Sequence, residues 1–189
     1  IEENDIAITL HVGADNGWDP VPLSFYDNGS NVPTHKEGDA PRDALAYMGI
    51  SYCAELFLAS MIFDGVFNRF PNLRVGVVEL GASWIISWMK HLDQSFRAFR
   101  RLQDLSQVEL LPSEYVQKHI KVTAFPGEDI GWLLNNGAAD LMMFASDYPH
   151  HEGTDDPIKR FEQTMSDVSE QNKTKFYSEN FKKLLGSHI

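Results

Sequence analysis

The chain is short of cationic charge and nearly free of cysteine. Lys and Arg number 16 against 27 Asp and Glu, a formal charge of -11 at pH 7. Such a balance opposes phosphate backbones and anionic lipid surfaces, so neither nucleic acid nor a membrane is expected as a partner. The one cysteine, Cys53, cannot close an internal disulfide and has no C-x-x-C companion for metal or redox chemistry. It reads as a small core residue of a protein in a reducing, cytoplasmic compartment. No basic segment followed by an apolar run opens the chain, and no stretch is read as approaching the ~20 apolar residues of a membrane span. Neither G-x-x-x-x-G-K-[ST] nor G-x-G-x-x-G occurs, so phosphate cradling lacks its usual marker. Gly81-Ala82-Ser83-Trp84-Ile85 begins like a nucleophile elbow but lacks the second glycine, and Ser83 is expected as a helix N-cap.

What is present is a repeat of strand and helix. With 43% hydrophobic residues and 12% aromatics over 189 positions, the chain can bury the core of a single domain, 1–189. Four apolar runs read as strands: Ile6 to Val12, Arg74 to Leu80, Ile120 to Ala124, and Leu141 to Ala145. Each is followed by helical periodicity rather than by a hairpin turn, which is a βα pattern and predicts a parallel sheet. The first strand leads into a polar loop from Gly13 to Arg42, long enough to be functional. Leu56, Ala59, Phe63, Val66 and Phe70 then mark a helix stopped by Pro71, and Trp84, Trp88, Leu92, Ser95, Phe99 and Leu102 mark the stripe of another. A short helix is expected from Ile130 to Leu134, closed by Gly137. Asp156-Pro157 reads as an N-cap with a first-turn proline, Ser169 and Ser178 as further caps, and Gly186 as the last helix stop. Met142-Met143 and the Trp84 and Trp88 pair read as core.

The candidates for chemistry lie at strand ends. His11 closes the first strand, Glu79 the second, and Asp147 follows the fourth, so a parallel sheet would bring the three together at its carboxyl edge. His, Glu and Asp are the ligand types of a zinc-, manganese- or iron-like ion, and they also serve as general acids and bases. Each has a plainer reading: a backbone-satisfied histidine, a turn carboxylate before Gly81, and a turn former before Tyr148-Pro149. His150 is expected to contact substrate or a ligand, with a solvent-facing loop histidine as an equal alternative, and adjacent His151 would point the other way. His35, in the long loop, and His91, on an amphipathic helix, carry less weight. Arg42 is a candidate contact for an anionic substrate.

Four segments resemble the later half of the amidohydrolase-2 family of metal-dependent TIM-barrel hydrolases, which includes the aminocarboxymuconate semialdehyde decarboxylase group. They are Phe70-Pro71-Asn72-Leu73-Arg74-Val75, Glu79-Leu80-Gly81-Ala82-Ser83-Trp84, Ser146-Asp147-Tyr148-Pro149-His150 and Glu179-Asn180-Phe181-Lys182-Lys183-Leu184-Leu185-Gly186. The resemblance implies an α/β fold of TIM-barrel type with four βα units present, strands five to eight, as a partial barrel. It implies a divalent metal, zinc or else manganese, with His11 and Asp147 as ligands and Asp147 also moving the proton of a bound water. Glu79 stands where decarboxylating members carry a catalytic histidine. The His-x-His pair of the family's first strand is absent, and four βα units are half of a closed barrel.

The function implied is a metal-dependent hydrolase that directs an activated water at an amide, lactone or ester of a small molecule. The alternatives are a non-oxidative decarboxylase of an unsaturated or aromatic acid, and a non-catalytic barrel fragment or binding module. Because the chain begins at Ile1 and enters a strand almost at once, a missing amino-terminal half is expected to complete the barrel, with a homo-oligomeric partner as the alternative, and the isolated chain is expected to be nearly inactive.

Overall fold

The computed structural model describes residues 1–13, 21–26, 43–149 and 153–186. Four strands, β1 (Ile8–His11), β2 (Val75–Val78), β3 (Ile120–Thr123) and β4 (Met142–Met143), form one parallel sheet in the order β1-β2-β3-β4. The expected strands are therefore all present, each shorter than its apolar run. Parallel neighbours require a crossover, and the chain supplies helices for it: α1 (Ala44–Met48), α2 (Tyr52–Phe63) and α3 (Val66–Arg69) lead to β2, α4 (Ile85–Phe99) and α5 (Pro112–His119) to β3, and α6 (Ile130–Leu133) to β4. After β4 come α7 (Pro157–Glu162), α8 (Glu170–Thr174) and α9 (Asn180–Leu185).

Register decides which side chains share a face. Ile8, Val75 and Ile120 form one row and Leu10, Val77, Val122 and Met142 the next, and both rows point into the hydrophobic core beneath the helices. Thr9, Gly76 and Lys121, then His11 with Val78 and Thr123 with Met143, occupy the opposite face. Helix α9 covers part of that second face. Its Leu184 lies so near that a Cβ on Gly76 would stand 2.7 Å from the leucine methyl, and the buried Asn180 donates to the carbonyls of Ala139 and Met142 at 2.8 Å each. The two faces are thus unequally covered, as on the inside and outside of a barrel wall.

Helix boundaries depart from the sequence expectations in informative ways. The helix expected through Phe70 breaks at Asp64-Gly65, where Gly65 adopts φ 67, and α2 buries Ala54, Leu58, Met61 and Ile62 while Leu56 is exposed. Apolar residues on both sides of α2 made the stripe ambiguous. Phe99 and Leu102 are likewise exposed, so the stripe of α4 holds only from Ile85 to Leu92. α5 was not anticipated; Pro112 opens it, and Glu114 accepts the Leu111 N–H at 2.8 Å. Ser83 does not cap α4, and Ser178 bonds back to Thr174 inside a helical turn. Asp156, Ser169, Gly137 and Gly186 do end or begin helices as expected, and Met142, Met143 and Trp88 are buried.

The membrane expectation also needs correction. Ala44–Phe63 is long and apolar enough, by length and hydropathy alone, to cross a membrane. In the fold it is α1 followed by α2, and the core helix of a water-soluble protein meets the same test. The long loop expected between Gly13 and Arg42, with His35 and Arg42, lies largely outside the described residues, as do His150 and His151.

Candidate active site at the strand ends

The site grows from two chain reversals, at Glu79 and Asp147. Glu79 leaves β2 with φ 55 and Asp147 leaves the β4 segment with φ 54, both in the left-handed region that non-glycine residues enter at a cost of about 1 kcal/mol or more. Backbone in that region persists when its surroundings hold it. For Glu79 the hold comes from the next strand: its N–H donates to Thr123 Oγ1 at 3.3 Å. The turn that follows is fastened by Glu128, whose carboxylate accepts the N–H groups of Ala82 (3.0 Å), Ser83 (2.7 Å) and Phe125 (2.7 Å) and the Ser83 hydroxyl (2.5 Å). One carboxylate therefore locks the loop after β2 to the loop after β3, and Gly81, at φ 65, lies against the Phe125 ring.

Asp147 is set differently. The Ser146 hydroxyl accepts the Tyr148 N–H at 3.3 Å, the Ser146 carbonyl accepts the Thr154 N–H at 3.4 Å, and the Tyr148-Pro149 peptide is cis. Gly153 passes so close that a Cβ there would stand 2.4 Å from the Asp147 carbonyl oxygen, so only glycine lets the loop return over the aspartate.

His11 and Glu79 meet. The ring Nε2 lies 3.1 Å from Glu79 Oε2, and Nδ1 lies 2.8 Å from the Val12 carbonyl. The ring therefore sits between a backbone carbonyl at Nδ1 and a side-chain carboxyl group at Nε2. The plain reading of His11 as backbone-satisfied holds at Nδ1, while Nε2 faces Glu79. To ligate a metal through Nε2, a neutral His11 ring would have to leave Glu79.

Glu79 and Asp147 line one cavity of about 560 Å³, together with Thr9, Val78, Thr123, Met143, Phe144 and Ala145 from the strands and Phe181, Leu184 and Leu185 from α9. His11 does not line it and joins it through Glu79. Thr123 and Glu128 escaped the sequence reading, since only strand register and a loop-to-loop contact give them their roles. The ligand set fits a divalent ion in kind, but not in number: among the described residues no three His, Cys, Asp or Glu side chains lie close enough to hold one.

A family model described as Amidohydrolase matches residues 1–187. No curated protein sequence matches the chain. Among solved structures, an amidohydrolase from Mycobacterium avium subsp. paratuberculosis is similar with a TM-score of 0.72 at 22% identity, over 98% of this chain and 44% of that one. The 5-carboxyvanillate decarboxylase of Sphingomonas paucimobilis follows with a TM-score of 0.65 at 22% identity, over 98% and 50%. A dihydroxybenzoic acid decarboxylase from Polaromonas sp. JS666, with bound manganese and the inhibitor 2-nitroresorcinol, has a TM-score of 0.64 at 19% identity, over 97% and 51%. This chain spans about half the length of each.

Proposed function

The chain belongs to the amidohydrolase family, and from that membership we propose that it supplies strands five to eight of a (β/α) barrel and one flank of a metal-dependent hydrolytic site. The observation that carries this is the convergence of His11, Glu79 and Asp147 at the carboxyl ends of parallel strands, two of them in left-handed backbone.

The family is metal-dependent, and a bound divalent ion, zinc or alternatively manganese, would supply acidified water. Because the described residues do not complete its ligand set, the remaining ligands must come from elsewhere, either from the chain's other residues, His150 included, or from a barrel half or partner subunit outside it. The residues present account for the proton. Asp147 takes it from the attacking water as the new C–O bond forms at the carbonyl carbon of an amide, lactone or ester. It returns that proton to the leaving nitrogen or oxygen as the old bond breaks. The Glu79 carboxylate holds the His11 ring in place beside the cavity.

Decarboxylation is the second reading, because two of the similar structures carry that activity in their names. The carboxylate at Glu79, where the family resemblance calls for histidine, weighs against it.

Calorimetric titration of the intact protein with Zn²⁺ and Mn²⁺ tests the site. Asp147→Asn and His11→Ala should each weaken binding by about tenfold or more, as loss of a ligand or its support does. Unchanged affinity in both variants would sink the proposal. Mass analysis of turnover separates the chemistries, since hydrolysis adds water and decarboxylation removes carbon dioxide.

A further inference from the structure

The turn from Glu79 to Trp84 leaves β2 with two residues in left-handed backbone, Glu79 at φ 55 and Gly81 at φ 65. Such backbone keeps its shape where neighbouring groups hold it. One hold is internal, Trp84 Nε1 donating to the Gly81 carbonyl at 2.8 Å. The others come from β3 and the loop after it: Thr123 Oγ1 accepts the Glu79 N–H, and the Glu128 carboxylate accepts the N–H groups of Ala82, Ser83 and Phe125 with the Ser83 hydroxyl. Among these groups Glu128 alone is charged. Bonds to a carboxylate are roughly twice as strong as neutral ones, and the first turn of α4 is where the helix favours negative charge. Ala82 is fully buried, so its N–H has no water to turn to without that carboxylate. Phe125 in turn touches both Gly81 and the ring of Tyr47 in α1, the latter with centroids 5.9 Å apart.

We infer that Glu128 is a positioning residue: by tying Ala82 and Ser83 to Phe125 it sets where the Glu79 carboxylate points, and with it the 3.1 Å approach of Glu79 Oε2 to His11 Nε2. The lever is short. Only Leu80 and Gly81 separate Glu79 from the first amide that Glu128 holds, and the glycine is free to take other backbone states once the hold is gone. The Thr123 bond that would remain to Glu79 is neutral and, at 3.3 Å, long. The inference takes from the proposed function only that His11 and Glu79 belong to the site. Its rival is a plainer role, in which Glu128 fastens two loops and the Glu79 side chain is set by β2 alone.

Glu128→Gln keeps the shape of the side chain but replaces one accepting oxygen with a donor that meets N–H groups. Nuclear magnetic resonance of the intact 189-residue chain at one fixed pH reads two quantities: the through-space contact between the Glu79 methylenes and the His11 ring, and the exchange rate of the Glu79 amide. In the folded variant the contact should be lost and that amide should exchange at least about tenfold faster, while β3 and α4 beyond its first turn keep wild-type rates. A folded variant with both readouts at wild-type values overturns the inference, and so does absence of the contact in the wild-type chain. Should Glu128→Gln not fold, Ser83→Ala removes the 2.5 Å hydroxyl bond alone. It should weaken the contact and speed the amide in the same direction, and wild-type values there overturn the inference. Neither readout needs metal or substrate. A chain that responds in this way but takes up no Zn²⁺ or Mn²⁺ supports the role of Glu128 while refuting the metal site.

Discussion

Lys121 shows how one residue can report on the fold. It projects from β3 onto the face shared with Thr9 and Gly76 and is buried, its ammonium 3.4 Å from the Ile120 carbonyl. Burial, and secondarily Lys183, pull its pKa down to about 8, against the opposing pull of Asp140. The unfolded chain therefore binds this proton more tightly, and stability should rise with pH between about 8 and 10.5, the full penalty being present below that window. Lys121→Met should flatten that rise and stabilise the protein at pH 7 by up to about 3 kcal/mol. Urea denaturation across the pH range checks both; a variant with the wild-type pH profile would refute the assignment. His119 acts with the same sign in a lower pH window. It is buried, stacks on Phe67 and bonds the Leu73 carbonyl at 2.8 Å, and burial lowers its pKa from 6.5. Protons then favour the unfolded chain as pH falls below 6.5, and stability should decline there.

At the scale of elements, close approach rather than propensity sets the tolerances. Gly131 in α6 lies against the turn after α7, where an added Cβ would stand 1.7 Å from the Thr164 carbonyl oxygen. Gly131→Ala should cost on the order of 3 kcal/mol, because backbone must move to admit it, although alanine is otherwise the better helix former. A midpoint shift in urea with unchanged slope is the expected signature. These element contacts also mark where sequence reading stops. The four strands, the caps at Asp156 and Ser169 and the stops at Gly137 and Gly186 were legible, because each depends on local pattern or on backbone chemistry. The stripe through Leu56 and Phe70 was misread because α2 presents apolar side chains on both sides, and periodicity cannot say which side meets the core. Ser83 was misassigned because its cap partner, Glu128, arrives from 45 residues away.

At the scale of the whole molecule, Arg74 joins three distant segments. It donates from Nε to the Leu184 carbonyl and from Nη2 to the Asp5 carbonyl, both at 2.7 Å, and pairs with the Asp5 carboxylate. Arg74→Met should loosen α9 and residues 1–7 together, by roughly 2 kcal/mol of local opening free energy, since charge-assisted bonds to half-buried carbonyls are lost. Hydrogen exchange should show faster opening of both segments while β2 and β3 stay protected. Loss of protection in only one of them would show that the arginine does not couple the two.

Composition and pattern by themselves determined the βα series, the parallel sheet and the strand-end positions of His11, Glu79 and Asp147, because parallel pairing and strand periodicity follow from local chemistry and sterics. What only the tertiary structure decided was which of these residues meet. His11 reaches Glu79 because β1 and β2 pair in the register Ile8 to Val75, and Glu79 and Asp147 line one cavity that α9, laid across the same face of the sheet, helps to wall. The outward side of α2 was likewise invisible beforehand. An apolar helix can bury either side, and only packing settles which side is left for water.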